Sequence, residues 1–366
     1  MRSDRGCTGV LRAGCGLVAF LAALGTSLAA QADSASLLAQ AQAADPVRYA
    51  FVVARNTEIR ATSDNKAFTM WWQPATGKVP AGVIVPLSGH DGWAHDGIYL
   101  WHAYAEKYGY AILSLQWWFG AGEATDDYYR PEHMYPLIAA ALSDKGVKPG
   151  SVFFNGFSRG SANSYAMAAL DHAATGRRFF GLVLSNAGGA AANYPPNQQI
   201  ESGAFGPLPF SGIRWAMYCG QKDPDPMLSG CPAMTAARDW VVKHGASVVL
   251  FIDDPNGDHG GFMLNSANVE TALASYAAIL ATTSNVLSNA ESDCLFSWGE
   301  DTYAALLSPR RPASLVSAPY YYRHYAGTNT YVGVSSADNH LYLLDGRGAL
   351  SDLGPAAPWS ARAGCR

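Results

Sequence analysis

Charge is what this chain has least of. Of 366 residues only 15% are Asp, Glu, Lys or Arg, and the formal net charge is −4. There is no basic excess to hold nucleic acid and no acidic run of the kind that makes a solvated tail. His90, His95 and His102 have no metal-site spacing, so no metal or cofactor is expected. Cysteine is scarce too, 6 in all. Long apolar runs are nearly missing. Gly16–Leu24, continued by small residues to Ala30, is too short for a membrane span, and no other long apolar insertion stands out.

That apolar stretch follows Arg2, Arg5 and Arg12 and ends in Ala30-Gln31-Ala32, an A-x-A cleavage pattern. It predicts a secretory signal peptide over residues 1–32, no membrane insertion after its removal, and a secreted or periplasmic address. Cys15 precedes the apolar stretch, so lipidation at the cleavage site is not expected. Cleavage removes Cys7 and Cys15 and leaves Cys219, Cys231, Cys294 and Cys365, an even set in an oxidising compartment. We expect the pairs Cys219–Cys231 and Cys294–Cys365, because each lies within one local unit.

What the chain has in quantity is apolar surface: 49% hydrophobic residues, with 10 Trp and 19 Tyr. That is ample for one large core and a small second one. Arg48–Arg60 and Ala67–Gln73 read as early antiparallel strands, after an Ala/Gln/Ser-rich lead-in over Asp33–Ala44. Buried-type strands then appear at Ala81–Leu87, Tyr110–Leu115, Ser151–Asn155, Phe179–Leu184, Ile213–Tyr218 and Ser247–Ile252. Helical spacing appears at Ile98–Tyr108, Glu132–Leu142, Ser161–Leu170, Ala233–His244 and Phe262–Leu280. Such alternation predicts an α/β fold, a mostly parallel sheet with helices on both faces and ligands at the C-terminal strand ends. The composition shifts after Ala281. The chain divides on this reading into a large α/β domain at 33–281, a polar linker at 282–291 and a small Tyr-rich domain at 292–366. In the last, Tyr320–Tyr325, Thr330–Val334 and His340–Leu344 suggest an antiparallel meander stapled by Cys294–Cys365, preceded by a helix over Asp293–Leu307.

The stretch Ser151–Leu170 runs strand, Gly156-Phe157-Ser158-Arg159-Gly160, helix. A G-x-S-x-G placed there is a nucleophile elbow, with glycines because side chains beside so sharp a turn would clash. The bland reading is a tight turn with an incidental serine. A serine nucleophile needs a histidine base and an orienting carboxylate, in the order Ser, Asp, His for this arrangement. Asp223 follows the strand ending at Tyr218, and His259 follows the one ending at Ile252. Asp225 competes with Asp223, and Asp253, Asp254 and Asp258 could serve or cap a helix. The Asp-rich loop lacks the alternation of a calcium site, so turn chemistry is expected there.

With these motifs in this order, the chain resembles secreted α/β-hydrolase serine esterases. It is most similar to the group with bacterial polyhydroxyalkanoate depolymerases and feruloyl or acetylxylan esterases, over roughly Val47–Leu280. The resemblance implies Ser158 as nucleophile, Asp223 as acid and His259 as base. Ser88-Gly89-His90 stands where the group has a His-Gly-x oxyanion loop, with Ser in place of His. The backbone N–H groups of His90 and Arg159 are then the expected oxyanion donors. Trp117 and Trp118 follow a strand at the active-site end and read as pocket walls, or as core. Arg159 sits on the first helical turn, where a cation is disfavoured. It reads as one half of an ion pair with Asp91 or Asp96, or as an anchor for a substrate carboxylate. Two functions follow as expectations: a monomeric hydrolase of an extracellular ester, small or polymeric, or a polymer- or envelope-binding protein that uses the Tyr-rich unit on an idle hydrolase fold.

Overall fold

A computed structural model of the chain describes residues 33–75, 80–174, 178–283, 287, 289–303, 320–335 and 338–365. The expected signal peptide at 1–32 lies outside them. The chain opens with helices α1 (Ser34–Ala44) and α2 (Pro46–Val53). Aspartates start both: Asp33 accepts the Ser36 N–H at 2.8 Å, and Asp45 accepts the Arg48 N–H at 2.9 Å. Pro46 stands in the first turn of α2, where its missing donor does no harm. This corrects the expectation of a strand from Arg48 onward. Val, Tyr and Phe favour a strand, but the cap and proline outweigh them, and only Glu58–Ala61 (β1) is extended.

The succession then runs β2 (Phe68–Trp72), β3 (Val83–Leu87), α3 (Ala94–Tyr108), β4 (Ala111–Leu115), α4 (Pro131–Asp144), β5 (Val152–Phe157), α5 (Arg159–Ala173) and β6 (Phe180–Asn186). It continues with α6 (Pro195–Glu201), β7 (Arg214–Gly220), α7 (Cys231–Lys243), β8 (Ser247–Asp254), α8 (Gly261–Leu264) and α9 (Ser266–Thr283). The closing helix expected over Phe262–Leu280 is two helices. Asn265 is extended between them, and its side chain accepts the Ala267 N–H at 3.1 Å.

The strands form one sheet of 8 in the order β1-β2-β4-β3-β5-β6-β7-β8. β1, β2 and β4 pair antiparallel, and every pair from β4 through β8 is parallel. The central strands are buried along their whole length, as their unbroken apolar runs require. On the helices, Tyr276 of α9 fixes two strands, donating to the Ser151 carbonyl at 2.6 Å and accepting the Val83 N–H at 3.1 Å. This is the α/β-hydrolase fold, with helices on both faces. Strand order reverses where β3 and β5 lie side by side, so the loops after them meet above the sheet.

After α9 come α10 (Asn289–Tyr303) and a second sheet of 4 strands, β9 (Tyr320–Tyr325), β10 (Thr330–Ser335), β11 (His340–Leu344) and β12 (Leu350–Pro355), then α11 (Ala356–Arg362). The sheet is an antiparallel meander. Its fourth strand went unforeseen because Leu350–Pro355 is mostly exposed and carries no alternating apolar pattern. The expected helix over Asp293–Leu307 starts earlier, and 304–319 lie outside the described residues. Leu287, Leu295, Phe296, Val334, Leu341 and Ala356 make a small separate core. Both expected disulfides are formed, Cys219–Cys231 and Cys294–Cys365.

Candidate active site

The turn between β5 and α5 is as tight as its sequence demands. Ser158 has φ 53° and ψ −117°, a backbone state that L-residues rarely hold. A Cβ on Gly156 would lie 2.3 Å from the Gly160 carbonyl oxygen, and one on Gly160 would lie 2.4 Å from that of Leu87. Neither site admits another residue without moving backbone. The strained serine is held by its neighbours, its N–H donating to the Asn186 carbonyl at 2.8 Å and its carbonyl accepting from Ala162 at 3.0 Å.

Three loops converge here. Ser158 Oγ is 2.8 Å from His259 Nε2, and His259 Nδ1 is 2.8 Å from Asp223 Oδ2. Asp223 is buried, and its other oxygen accepts the Ser229 hydroxyl at 2.8 Å and the Asp225 N–H at 2.9 Å, which hold the carboxylate in place. A carboxylate at Nδ1 fixes the tautomer, leaving Nε2 free to accept the serine proton. The competing aspartates are otherwise engaged. Asp225 accepts the Leu228 N–H, Asp253 the Gln221 amide, Asp254 the Asn256 and Gly257 N–H groups, and Asp258 the Gly260 N–H. The last two are the expected turn chemistry. Cys219–Cys231 closes the loop that carries Asp223 and Ser229. Ser229 was missed, because nothing in a sequence marks a hydroxyl that supports a carboxylate.

The Ser88-Gly89-His90 segment borders the nucleophile: a Cβ on Gly89 would lie 3.1 Å from Ser158 Cβ. Among the described residues, neither the His90 N–H nor the Arg159 N–H donates to an internal acceptor. Both remain available to a ligand oxygen. The His90 imidazole turns to the rim, with Nε2 3.2 Å from Glu123 and Nδ1 3.4 Å from Asp91.

A cavity of about 710 Å³ opens over Ser158 and His259. Trp117 lines it, holding the Ser88 hydroxyl through Nε1 at 3.0 Å. Trp118 does not. It packs on Trp93 with ring centroids 5.1 Å apart and donates to the Gly122 carbonyl, so of the two tryptophans expected at the wall one belongs to the core behind it. Tyr128, Tyr129 and Tyr194 also line the cavity. They lie in loops without periodicity; only the position of Tyr128 and Tyr129 in the loop after β4, at the ligand end of the sheet, could have pointed to them.

Arg159 departs from the ion pair expected of it. Asp96 is held by Arg48 at 2.7 Å, and Asp91 faces His90. The Arg159 guanidinium instead lies 4.2 Å over the Tyr128 ring and gives one N–H to the Glu123 carbonyl at 2.9 Å.

No known protein family and no curated protein matches the chain. Solved structures with a similar course include TT1662 from Thermus thermophilus, 15% identical over 60% of this chain and 97% of that one, with a TM-score of 0.43. Acyl-protein thioesterase 2 from Zea mays is 17% identical over 58% of this chain and 98% of its own, with a TM-score of 0.41. A fungal esterase from Rhizomucor miehei is 10% identical over 65% and 89%, with a TM-score of 0.47. The fold assignment rests on the sheet order above.

Proposed function

We propose that the chain is a serine carboxylic ester hydrolase that forms an acyl-enzyme. The observation that carries this reading is the hydrogen-bonded relay Asp223–His259–Ser158, which ends on a strained serine at a cavity wall. Ser158 Oγ bonds to the ester carbonyl carbon while its proton passes to His259 Nε2. The carbonyl oxygen becomes an oxyanion between the N–H groups of His90 and Arg159, and the N-terminus of α5 favours that charge. Collapse breaks the bond to the alcohol oxygen, which takes the proton from His259. A water, deprotonated by the same imidazole, then adds to the acyl carbon, and collapse of this second intermediate releases the acid and returns Ser158. No metal enters these steps. The signal-like segment at residues 1–32 supports reading the enzyme as an exported one that acts on an extracellular ester, small or polymeric.

The test is hydrolysis of short and medium p-nitrophenyl esters by the mature chain beside Ser158→Ala, with a fluorophosphonate label on both. Activity and labelling in the parent only are expected; full activity in the variant would sink the assignment. A second reading, a binding protein on an idle fold, draws on one face of the C-terminal sheet, where His324 stacks on Tyr331 at 4.0 Å with Tyr322 6.2 Å away. On that reading, deleting 282–366 abolishes retention on solid polymer and leaves small-ester hydrolysis untouched.

A further inference from the structure

Of the charged side chains that line the cavity, Arg130 pairs with Asp126 at 2.9 Å, Asp223 meets His259 at 2.8 Å, and Glu123 meets the His90 imidazole at 3.2 Å. Asp225 has no cationic partner among the described residues and is satisfied by the Leu228 backbone N–H, which leaves Arg159 as the cation at this cavity without a carboxylate. Among the described residues no carboxylate lies within ion-pairing distance of Arg159. Its position is also the costly one, on the first turn of α5, where the helix end is already positive. The guanidinium therefore stands next to the nucleophile's turn without a carboxylate partner among the described residues.

Its geometry is nonetheless fixed. Tyr128 covers one face of the guanidinium, and the Glu123 carbonyl takes one N–H. The Arg159 backbone is tied by the Asn163 side-chain amide, which donates to its carbonyl at 2.8 Å, and Asn163 is in turn held by the Tyr194 hydroxyl at 2.6 Å. The remaining N–H donors form the planar fork that suits a carboxylate, and a fork stacked on an aromatic ring needs little reordering to use it. Tyr128, Asn163 and Tyr194 line the same cavity as Ser158 and Arg159.

Resting on the ester-hydrolase reading, we propose that the substrate is an ester that carries a free carboxylate, and that the Arg159 side chain binds this carboxylate while Ser158 attacks the ester carbonyl. The class includes half-esters of dicarboxylic acids and O-acyl hydroxy acids. Arg159 then sets specificity through its side chain, apart from the oxyanion role of its backbone N–H, which every substitution but proline retains.

The experiment compares kcat/KM for monomethyl adipate with dimethyl adipate, and for 4-acetoxybutanoate with its methyl ester, in the parent, Arg159→Gln and Arg159→Lys. The quantity read is the ratio of charged to neutral ester, so a general loss of activity cancels. The parent prefers the charged member of at least one pair. Arg159→Gln lowers that ratio by about ten- to a hundredfold, the range for losing a hydrogen bond to a charged group. Arg159→Lys restores part of it, since charge returns without the fork. A parent with no preference in either pair, or a ratio unmoved in Arg159→Gln, overturns the proposal. Binding is read separately by titrating Ser158→Ala, and its double variant with Arg159→Gln, with the same half-ester. Arg159-dependent binding without any hydrolysis in the parent leaves the anchor standing and removes the hydrolase reading. Hydrolysis of neutral esters without an Arg159-dependent ratio does the reverse.

Discussion

Asp171 and His172 are neighbours in α5 whose ionisations pull stability in opposite directions. Asp171 is buried, accepting the N–H groups of Phe179 and Phe180 and the Tyr135 hydroxyl. Burial outweighs those bonds and pushes its carboxyl up from 3.8 to about 7. Between these values the folded chain holds a proton that the unfolded chain releases, so stability falls as pH rises. Burial and the nearby Arg178 push His172 down from 6.5 to about 4. In that window the unfolded chain binds the extra proton, so stability rises with pH. Over the shared range the two slopes oppose each other, and the parent should show little net dependence from this pair. Urea unfolding at several pH values from 4 to 7 checks it. Asp171→Asn should gain stability with rising pH relative to the parent, and His172→Asn should lose it. Parallel shifts of all three curves would show that neither group is perturbed as argued. The same scale explains why Asp223 and Asp225 were not separable from sequence. Both stand in one loop, and the choice is made by the path of that loop and by Ser229, a contact six positions away in sequence.

The β5–α5 turn carries its prediction in its packing. Because Gly160 sits against the carbonyl of Leu87 at the end of β3, Gly160→Ala must push α5 away from the sheet. Overpacking of this kind costs about 1–3 kcal/mol. It should also displace Ser158 from His259, so a lower melting temperature should come with a larger drop in kcat. Unchanged kcat with unchanged melting would mean the helix is not seated as described. This element was readable in the sequence because everything it needs is local: an apolar run, two glycines and a run of helix formers. The parallel strands were readable for a similar reason, since a strand covered on both faces must be apolar throughout. Where competing local signals met, the reading failed. In α2 the aspartate cap and proline outweighed Val and Tyr, and between α8 and α9 Asn265 broke a pattern that looked continuous. The cavity walls were least readable, since Tyr128 and Tyr194 come to the cavity over Ser158 through loops whose course no periodicity records.

Across the whole molecule, stability is unevenly founded, and the two disulfides meet different needs. The main core runs through the central sheet and its helices, whereas the C-terminal sheet rests on a few buried side chains, among them Leu295, Phe296, Val334 and Leu341. So small a core cannot offset much chain entropy. Cys294–Cys365 spans 71 residues and ties α10 to the end of the chain. Closing a loop of that size stabilises by roughly 4 kcal/mol in the chain-entropy account. Replacing both cysteines by serine should therefore melt the C-terminal sheet ahead of the rest. Calorimetry should resolve an early transition, limited proteolysis should cut between residues 289 and 365, and small-ester hydrolysis should persist until the main transition. Cys219–Cys231 spans 12 residues inside the larger core and brackets Asp223. Its removal should act first on catalysis, lowering kcat by loosening the carboxylate that orients His259, with little change in the main melting temperature. One shared transition at the parent temperature in the Cys294/Cys365 variant would show that the C-terminal sheet is held by its packing and not by its staple.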